Sequence, residues 1–69
     1  MIEVFKTNVH KAGEARRLVA LLLNHFPGNK INFDLDDCDK VLRVEGRNFV
    51  TEQVMNLMQQ SGFQCAVLE

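Results

Sequence analysis

The side chains best suited to chemistry in this sequence are a histidine, two cysteines and a run of aspartates. His10 lies ahead of a helical stretch, Cys38 lies within Asp36-Asp37-Cys38-Asp39, and Cys65 lies near the C-terminal end. Imidazole, thiolate and carboxylate groups are acceptable Zn(II) ligands, which makes His10 and Cys38 the candidate metal ligands. Structural zinc sites usually carry closely spaced ligand pairs, and this sequence has none. We therefore expect solvated loop residues here, with no resident metal and no cofactor.

Enzymatic catalysis is not indicated by any combination of residues. A nucleophilic cysteine or serine needs a base within hydrogen-bond reach and a pocket for its substrate. Cys65 lies in an apolar run, where a thiol behaves as a small buried hydrophobe. A chain of 69 residues also has little room for a ligand cavity of the usual size. We expect a protein that is not an enzyme and has no catalytic residues.

The spacing of apolar residues predicts six structural elements. Alternation and β-branched residues predict strands over 2–7, 30–36, 40–45 and 63–68. Apolar residues at steps of three and four predict two helices. The first presents Ala15, Leu18, Leu22 and Phe26 to the core, and the second, beginning at Phe49, presents Val50, Val54, Leu57 and Met58. Asn48 is the candidate N-cap of the second helix, and Gly62 the left-handed residue that ends it.

The order of these elements predicts the fold. Strand-helix-strand, repeated twice, is the pattern of an α+β, ferredoxin-like βαββαβ sandwich, here forming one domain over residues 1–69. Right-handed crossovers put both helices on one face of a four-stranded antiparallel sheet with strand order 4-1-3-2. This topology gathers three loops at one end of the domain, namely 9–14, 36–39 and 61–62. Any site that uses the first loop must take its other groups from the other two.

Composition narrows the classes of partner. With a net charge of −1 the chain has no field to attract nucleic acid. Trp and Tyr are absent, and the predicted sheet lacks the interleaved aromatic residues on which single-stranded nucleic acid stacks. No segment reaches the roughly 20 apolar residues that span a bilayer, and the N-terminal residues do not read as a secretion signal. We expect no nucleic-acid binding, no membrane insertion, a cytoplasmic location and two reduced cysteines.

Two local strings accompany this order of elements: Val9 to Leu18, at the end of the first strand and the start of the first helix, and Met58 to Phe63, at the end of the second helix. Together they resemble the heavy-metal-associated domain family, which includes copper chaperones and the metal-binding domains of copper- and zinc-pumping ATPases. In that family a Met-x-Cys-x-x-Cys motif follows the first strand. Val9 stands here at the Met position, and Lys11 and Glu14 stand at the two Cys positions, with Ala15 and Leu18 at the apolar positions that follow. The run Met58-Gln59-Gln60-Ser61-Gly62-Phe63 is similar to the Gly-Phe or Gly-Tyr ending of the family's second helix.

The resemblance implies the ferredoxin-like fold and the loss of the family's usual activity. Soft ions such as Cu(I) prefer sulfur ligands, whereas Lys11 offers an ammonium and Glu14 a hard carboxylate. The expected function is therefore a non-enzymatic interaction or regulatory module that binds an unidentified protein or a second copy of itself. Two alternatives stay open: a weak or non-standard metal-binding protein related to metal transport, and a regulatory domain that binds a small metabolite.

The sheet face that the helices leave open is the candidate docking surface. Strand alternation puts Ile2 and Val4 on this face of the first strand, and Ala66 and Leu68 on the same face of the last. Because these strands are neighbours in the predicted order, the four residues form one apolar patch, which Val41 extends. The alternative is a set of scattered exposed hydrophobes, which are normal on small domains.

Overall fold

The computed structural model describes residues 1–69, which form four strands and two helices. In chain order these are β1 (Ile2–Thr7), α1 (Ala12–His25), β2 (Lys30–Asp34), β3 (Val41–Glu45), α2 (Thr51–Gln60) and β4 (Cys65–Val67). The strands form one antiparallel sheet in the order β2-β3-β1-β4, which is the predicted order 4-1-3-2 seen from the other edge. The predicted ferredoxin-like arrangement, with both helices on one face, is confirmed.

A single cluster of buried apolar side chains joins the sheet to both helices. Phe5 and Leu42 of the central strands are fully buried, as are Leu22 of α1 and Met58 of α2. Burying a side chain of this size stabilises the folded state by about 1.5–3 kcal/mol. Because the inner stripes of the helices and one row of each strand share this cluster, the opposite face of the sheet remains uncovered.

The helix ends follow from local hydrogen bonding. Lys11 is the N-cap of α1 with extended backbone, and it makes no side-chain capping bond. The end of α2 is closed by a pair of backbone bonds, from the Phe63 N–H to the Met58 carbonyl at 3.1 Å and from the Gly62 N–H to the Gln59 carbonyl at 3.0 Å. Gly62 has a φ of +94°. This is a Schellman ending with glycine at the left-handed position, as predicted.

The strand boundaries differ from the predicted ones for local reasons. β2 ends two residues early, because the Asp34 side chain accepts a hydrogen bond from the Asp36 N–H at 3.2 Å and begins the turn. β3 begins one residue late, since Lys40 has a φ of +48° and cannot continue a strand. β4 is confined to Cys65–Val67 because Phe63 still belongs to the ending of α2.

The predicted start of the second helix is wrong. α2 begins at Thr51, with Val50 as its N-cap, and Phe49 is instead a buried core residue ahead of it. Asn48 does not cap the helix, because its backbone is bound by the side chain of Asn29. The Asn29 Nδ2 donates to the Asn48 carbonyl at 3.1 Å, and the Asn48 N–H donates to the Asn29 Oδ1 at 3.3 Å. The Asn48 backbone is therefore held within the connection between β3 and α2, and buried Phe49 anchors that connection to the core.

Neither helix is long and apolar enough to cross a membrane.

Candidate functional site

The three predicted loops do meet at one end of the sheet. The Thr7 N–H donates to the Asp39 carbonyl at 2.9 Å, which ties the end of β1 to the β2–β3 turn. The Gln64 N–H donates to the Asn8 Oδ1 at 2.8 Å, which ties the segment after α2 to the loop ahead of α1. These bonds hold the loop end in one conformation, so the residues that it displays have defined positions.

Lys11 and Glu14 lie at the start of α1. The Lys11 carbonyl accepts the first helical hydrogen bond, from the Ala15 N–H at 3.0 Å, and the Lys11 side chain is exposed. Glu14 lies in the first turn and is half-buried, where a carboxylate interacts favourably with the helix dipole. Val9 is fully buried just before them, so its side chain anchors the loop to the core. The two positions at the start of this helix therefore hold an ammonium and a carboxylate, and neither holds a thiol.

The β2–β3 turn brings Cys38 together with two aspartates but not with His10. One ligand atom from each of Asp37, Cys38 and Asp39 lies within 4.8 Å of the others, whereas His10 is exposed elsewhere in the loop ahead of α1. The Asp37 Oδ1 also accepts a hydrogen bond from the Asp39 N–H at 2.9 Å, which shapes the turn. The predicted ligand group is therefore reduced to the three residues of the turn itself.

Both cysteines line one surface cavity of about 490 Å³ at the junction of β1, β4 and the turn. Cys38 is exposed and Cys65 is buried, and both are free thiols. Burial raises the pKa of the Cys65 thiol from its ordinary value of 9.0 to about 12, because the charged thiolate would be poorly solvated there. Thiolates are the reactive and metal-binding species, so this shift disfavours both roles for Cys65. Cys65 is instead a buried member of the core, as predicted.

Because of this raised pKa, the free energy of unfolding should depend on pH in the alkaline range. In the folded state Cys65 keeps its proton up to about pH 12, whereas the unfolded chain releases it above pH 9.0. The contribution is therefore complete below pH 9.0 and falls as pH rises toward 12, with a slope of up to about 1.4 kcal/mol per pH unit. Urea unfolding across this range should show a steeper loss for the wild type than for Cys65→Ala. Parallel pH profiles of the two proteins would contradict the expectation.

On the open face, the residues of the predicted patch lie among charged side chains. Val4 and Leu68 line a shallow concavity of about 280 Å³ with Val41, and the Leu68 N–H donates to the Val4 carbonyl at 2.9 Å. Val41 is only 7% exposed although it lies outside the core cluster. Ile2 is 57% exposed and pairs with Glu45, Val4 pairs with Arg43, and Ala66 pairs with Lys6, so all three adjoin charged neighbours. Charged side chains are therefore interspersed with the apolar residues on this face.

A larger apolar concavity runs between α1 and the edge strand β2. It has a volume of about 650 Å³, and we call it the α1–β2 groove. Its principal apolar lining residues are Ala15, Val19, Ala20, Leu23, Ile31, Phe33 and Leu35. Leu23 is 38% exposed, and Val19, Phe33 and Leu35 are half-buried. The groove is an open trough, bounded on one side by a helix and on the other by a strand with a free edge.

The α1–β2 groove was not predicted from the sequence, although two signals for it are present. Val19, Ala20 and Leu23 lie beside the inner stripe of α1, so apolar residues cover more of this helix than the core needs. The predicted order 4-1-3-2 already places the second strand at an edge. Together, these observations point to a helix flank and a strand edge that share an apolar surface.

The chain matches no protein-family model, no curated protein and no solved structure. The geometry of its own residues is therefore the basis for any functional conclusion.

Proposed function

We propose that this protein is a metal-independent, non-catalytic interaction module with the build of a heavy-metal-associated domain. The observation that carries the proposal is the α1–β2 groove, an apolar trough beside an unpaired strand edge. Contiguous exposed apolar surface is one of the features that mark sites for binding another protein. Strand addition at a free edge supplies backbone hydrogen bonds, and neighbouring apolar pockets supply selectivity.

The residues at the start of α1 support a role that does not depend on binding a soft metal ion. A Cu(I) site needs thiolate or thioether ligands, and Lys11 and Glu14 provide neither. The two thiols of the chain lie elsewhere, and burial raises the pKa of Cys65, which disfavours the thiolate that would bind a metal. The α1–β2 groove is therefore the feature on which the proposed function rests.

A metal-binding role is the second candidate, because Asp37, Cys38 and Asp39 bring three ligand atoms within 4.8 Å of one another. The three residues lie in one tight turn, and the Asp37 carboxylate is already engaged by the Asp39 N–H. The other oxygen of this carboxylate stays available, but three side chains of one turn leave the remaining coordination positions of a metal to water. Binding would accordingly be weak, and replacing Cys38 by serine would remove the only soft ligand.

The α1–β2 groove also favours a protein partner over a small metabolite. Pockets for small molecules are usually concave enough to bury about 70–90% of the ligand surface. The groove is open along its length and has only two polar lining residues, Arg16 and Asn32. It can cover one side of an extended segment, but it cannot enclose a small polar molecule.

Site-specific photocrosslinking in living cells tests this proposal. With p-benzoylphenylalanine in place of Leu23, we expect a discrete crosslinked adduct with a protein. The matched control carries the same group in place of Asn56, an exposed residue of α2 away from the groove. Ala20→Glu, which adds a charge inside the groove, should abolish the Leu23 adduct. The proposal fails if position 23 gives no protein adduct, or if positions 23 and 56 give the same products.

A further inference from the structure

Strand β2 is a free edge of the sheet. It has only β3 as a neighbour and is five residues long, whereas β4 at the opposite edge has three. Edge strands are often protected by proline, by a bulge, by a covering segment or by charged side chains, especially lysine. The charged residues of β2, Lys30 and Asp34, are opposite in sign. β2 contains no proline and pairs with β3 residue for residue, without a bulge. Its outer side is therefore an available template for another strand.

The free backbone groups of this edge belong to Ile31 and Phe33. The Gly46 N–H donates to the Met1 carbonyl at 2.9 Å, so the even-numbered residues of β3 direct their hydrogen-bonding groups toward β1. The odd-numbered residues of β3 consequently direct theirs toward β2, where they pair with Lys30, Asn32 and Asp34. Ile31 and Phe33 are left with N–H and carbonyl groups that point away from the sheet.

The sequence of β2 is complementary to itself when two copies run antiparallel. In a pairing centred on Asn32, Lys30 of each copy lies opposite Asp34 of the other, and Ile31 lies opposite Phe33. The charged pairs fall on the open face and the apolar pairs on the helix face. Each Ile31–Phe33 pair also brings the free backbone groups together, so that it can exchange two hydrogen bonds.

Other registers are worse for simple geometric reasons. A shift by one residue sets Ile31 opposite Asn32 and mixes apolar with polar side chains on both faces. A shift by two residues keeps the faces matched but pairs only part of the strand and separates Lys30 from Asp34. The pairing centred on Asn32 is the one that uses all five residues of β2.

The α1–β2 groove adds apolar surface to such a pairing. Joining two β2 edges brings the grooves of both copies side by side under the two α1 helices. Leu23 and Val19 would lose their exposure to water, and the small side chains of Ala12 and Ala20 leave room for the helices to approach. The contact is isologous, so one two-fold axis closes it and no open chain of subunits forms.

On the basis of the proposed function, we propose that the partner is a second copy of this chain, joined to the first by antiparallel β2–β2 pairing about Asn32. The sheet is then continuous through both copies, and the Lys30–Asp34 pairs select the register.

Charge reversal tests the register directly by sedimentation velocity over a series of concentrations. Lys30→Asp puts two acidic residues on each β2, and Asp34→Lys puts two basic residues there, so each variant repels itself. We expect each to dimerise about 30-fold more weakly than the wild type, because two attractive pairs become repulsive. An equimolar mixture of the two variants, and the double variant Lys30→Asp, Asp34→Lys, should both dimerise. Lys6→Asp makes the same charge reversal on β1 and should leave dimerisation unchanged.

Unfolding of a variant would not produce this pattern, in which each single variant loses the dimer and the mixture of the two recovers it. Asp34→Lys removes the side-chain bond to the Asp36 N–H, so its thermal unfolding should be recorded beside that of the wild type. Recovery of the dimer in the mixture of two variants requires that both chains be folded and complementary at this edge. If the mixture stays monomeric while the wild type dimerises, the register is wrong. Loss of the dimer in Val4→Lys, Leu68→Lys, with no effect at positions 30 and 34, would move the interface to the open face and overturn the proposal.

Photocrosslinking at position 23 separates this inference from the proposed function. An adduct with twice the mass of the chain supports the self-pairing. An adduct with a different protein, together with a wild type that is monomeric at every concentration, overturns the self-pairing and leaves the interaction module in place. If no adduct forms and no dimer is found, both proposals fall.

Discussion

Replacing Lys11 and Glu14 together by cysteine is expected to give this domain a Cu(I) site that the unmodified chain does not have. In competition with a Cu(I) chelator, Lys11→Cys, Glu14→Cys should take up the metal stoichiometrically, and the wild type should leave it with the chelator. Thiolates are strongly preferred by soft ions. The expected change is therefore from no retained metal to full occupancy.

The physical reason lies in where the two positions fall. One is the N-cap of α1 and the other is in its first turn, so both are close to the free N–H groups of the helix start. Helix N-termini lower the pKa of a cysteine and favour the thiolate. Fully buried Val9 and the bond from the Thr7 N–H to the Asp39 carbonyl hold the loop in place without any contribution from the replaced side chains.

Two controls make the result specific. Lys11→Ser, Glu14→Ser has side chains of similar size without sulfur, and it should behave like the wild type. The wild type with Cys38→Ser and Cys65→Ala should also be unchanged. Tight Cu(I) binding by the unmodified chain, lost in that second control, would show that the existing thiols form a site and that the start of α1 is not the determinant.

The order and type of all six elements could be read from apolar spacing, because burial dominates where strands and helices form. The incorrect predictions concern the ends of elements, because side-chain hydrogen bonds help to determine where a strand or helix begins and ends. Asn48 looked like a helix cap, yet Asn29, which is nineteen residues away in the chain, binds its backbone. A contact between distant residues leaves no mark on local composition, so α2 was predicted to begin too early.

The surfaces were predictable only in part, for a related reason. Alternation correctly assigned Val4 and Leu68 to the open face, but the extent of the patch depended on register. Register set Ile2 against Glu45 and Ala66 against Lys6, which interrupts the apolar surface. The α1–β2 groove depends on how α1 lies over the edge of the sheet, and this is a property of packing that no single segment encodes.

The second large effect is expected at Gly46, where alanine should destabilise the fold by about 3 kcal/mol. Gly46 has a φ of +154°, and an added Cβ would overlap the Asn29 Oδ1 and lie 2.9 Å from its Cγ and 3.1 Å from its Cα. Asn29 is 7% exposed and is the one buried polar residue of the chain. Its Nδ2 donates to the Phe26 carbonyl at 2.8 Å and also binds the Asn48 backbone, so it joins the end of α1 to the β3–α2 connection immediately before β2 begins.

Gly62 is the matched control, because it also has a positive φ, of +94°, but an added Cβ there would meet nothing within 4 Å. Gly62→Ala should cost only the backbone term of about 1 kcal/mol. At about 4–8 °C per kcal/mol for a domain of this size, thermal unfolding should place Gly46→Ala well below Gly62→Ala, and Gly62→Ala a few degrees below the wild type. Asn29→Ala, Gly46→Ala should then be more stable than the sum of its two single changes predicts, because removing the amide also removes the overlap. If the two losses simply add, the cost of alanine at position 46 arises from the backbone conformation alone, and Asn29 is not the group that requires glycine there.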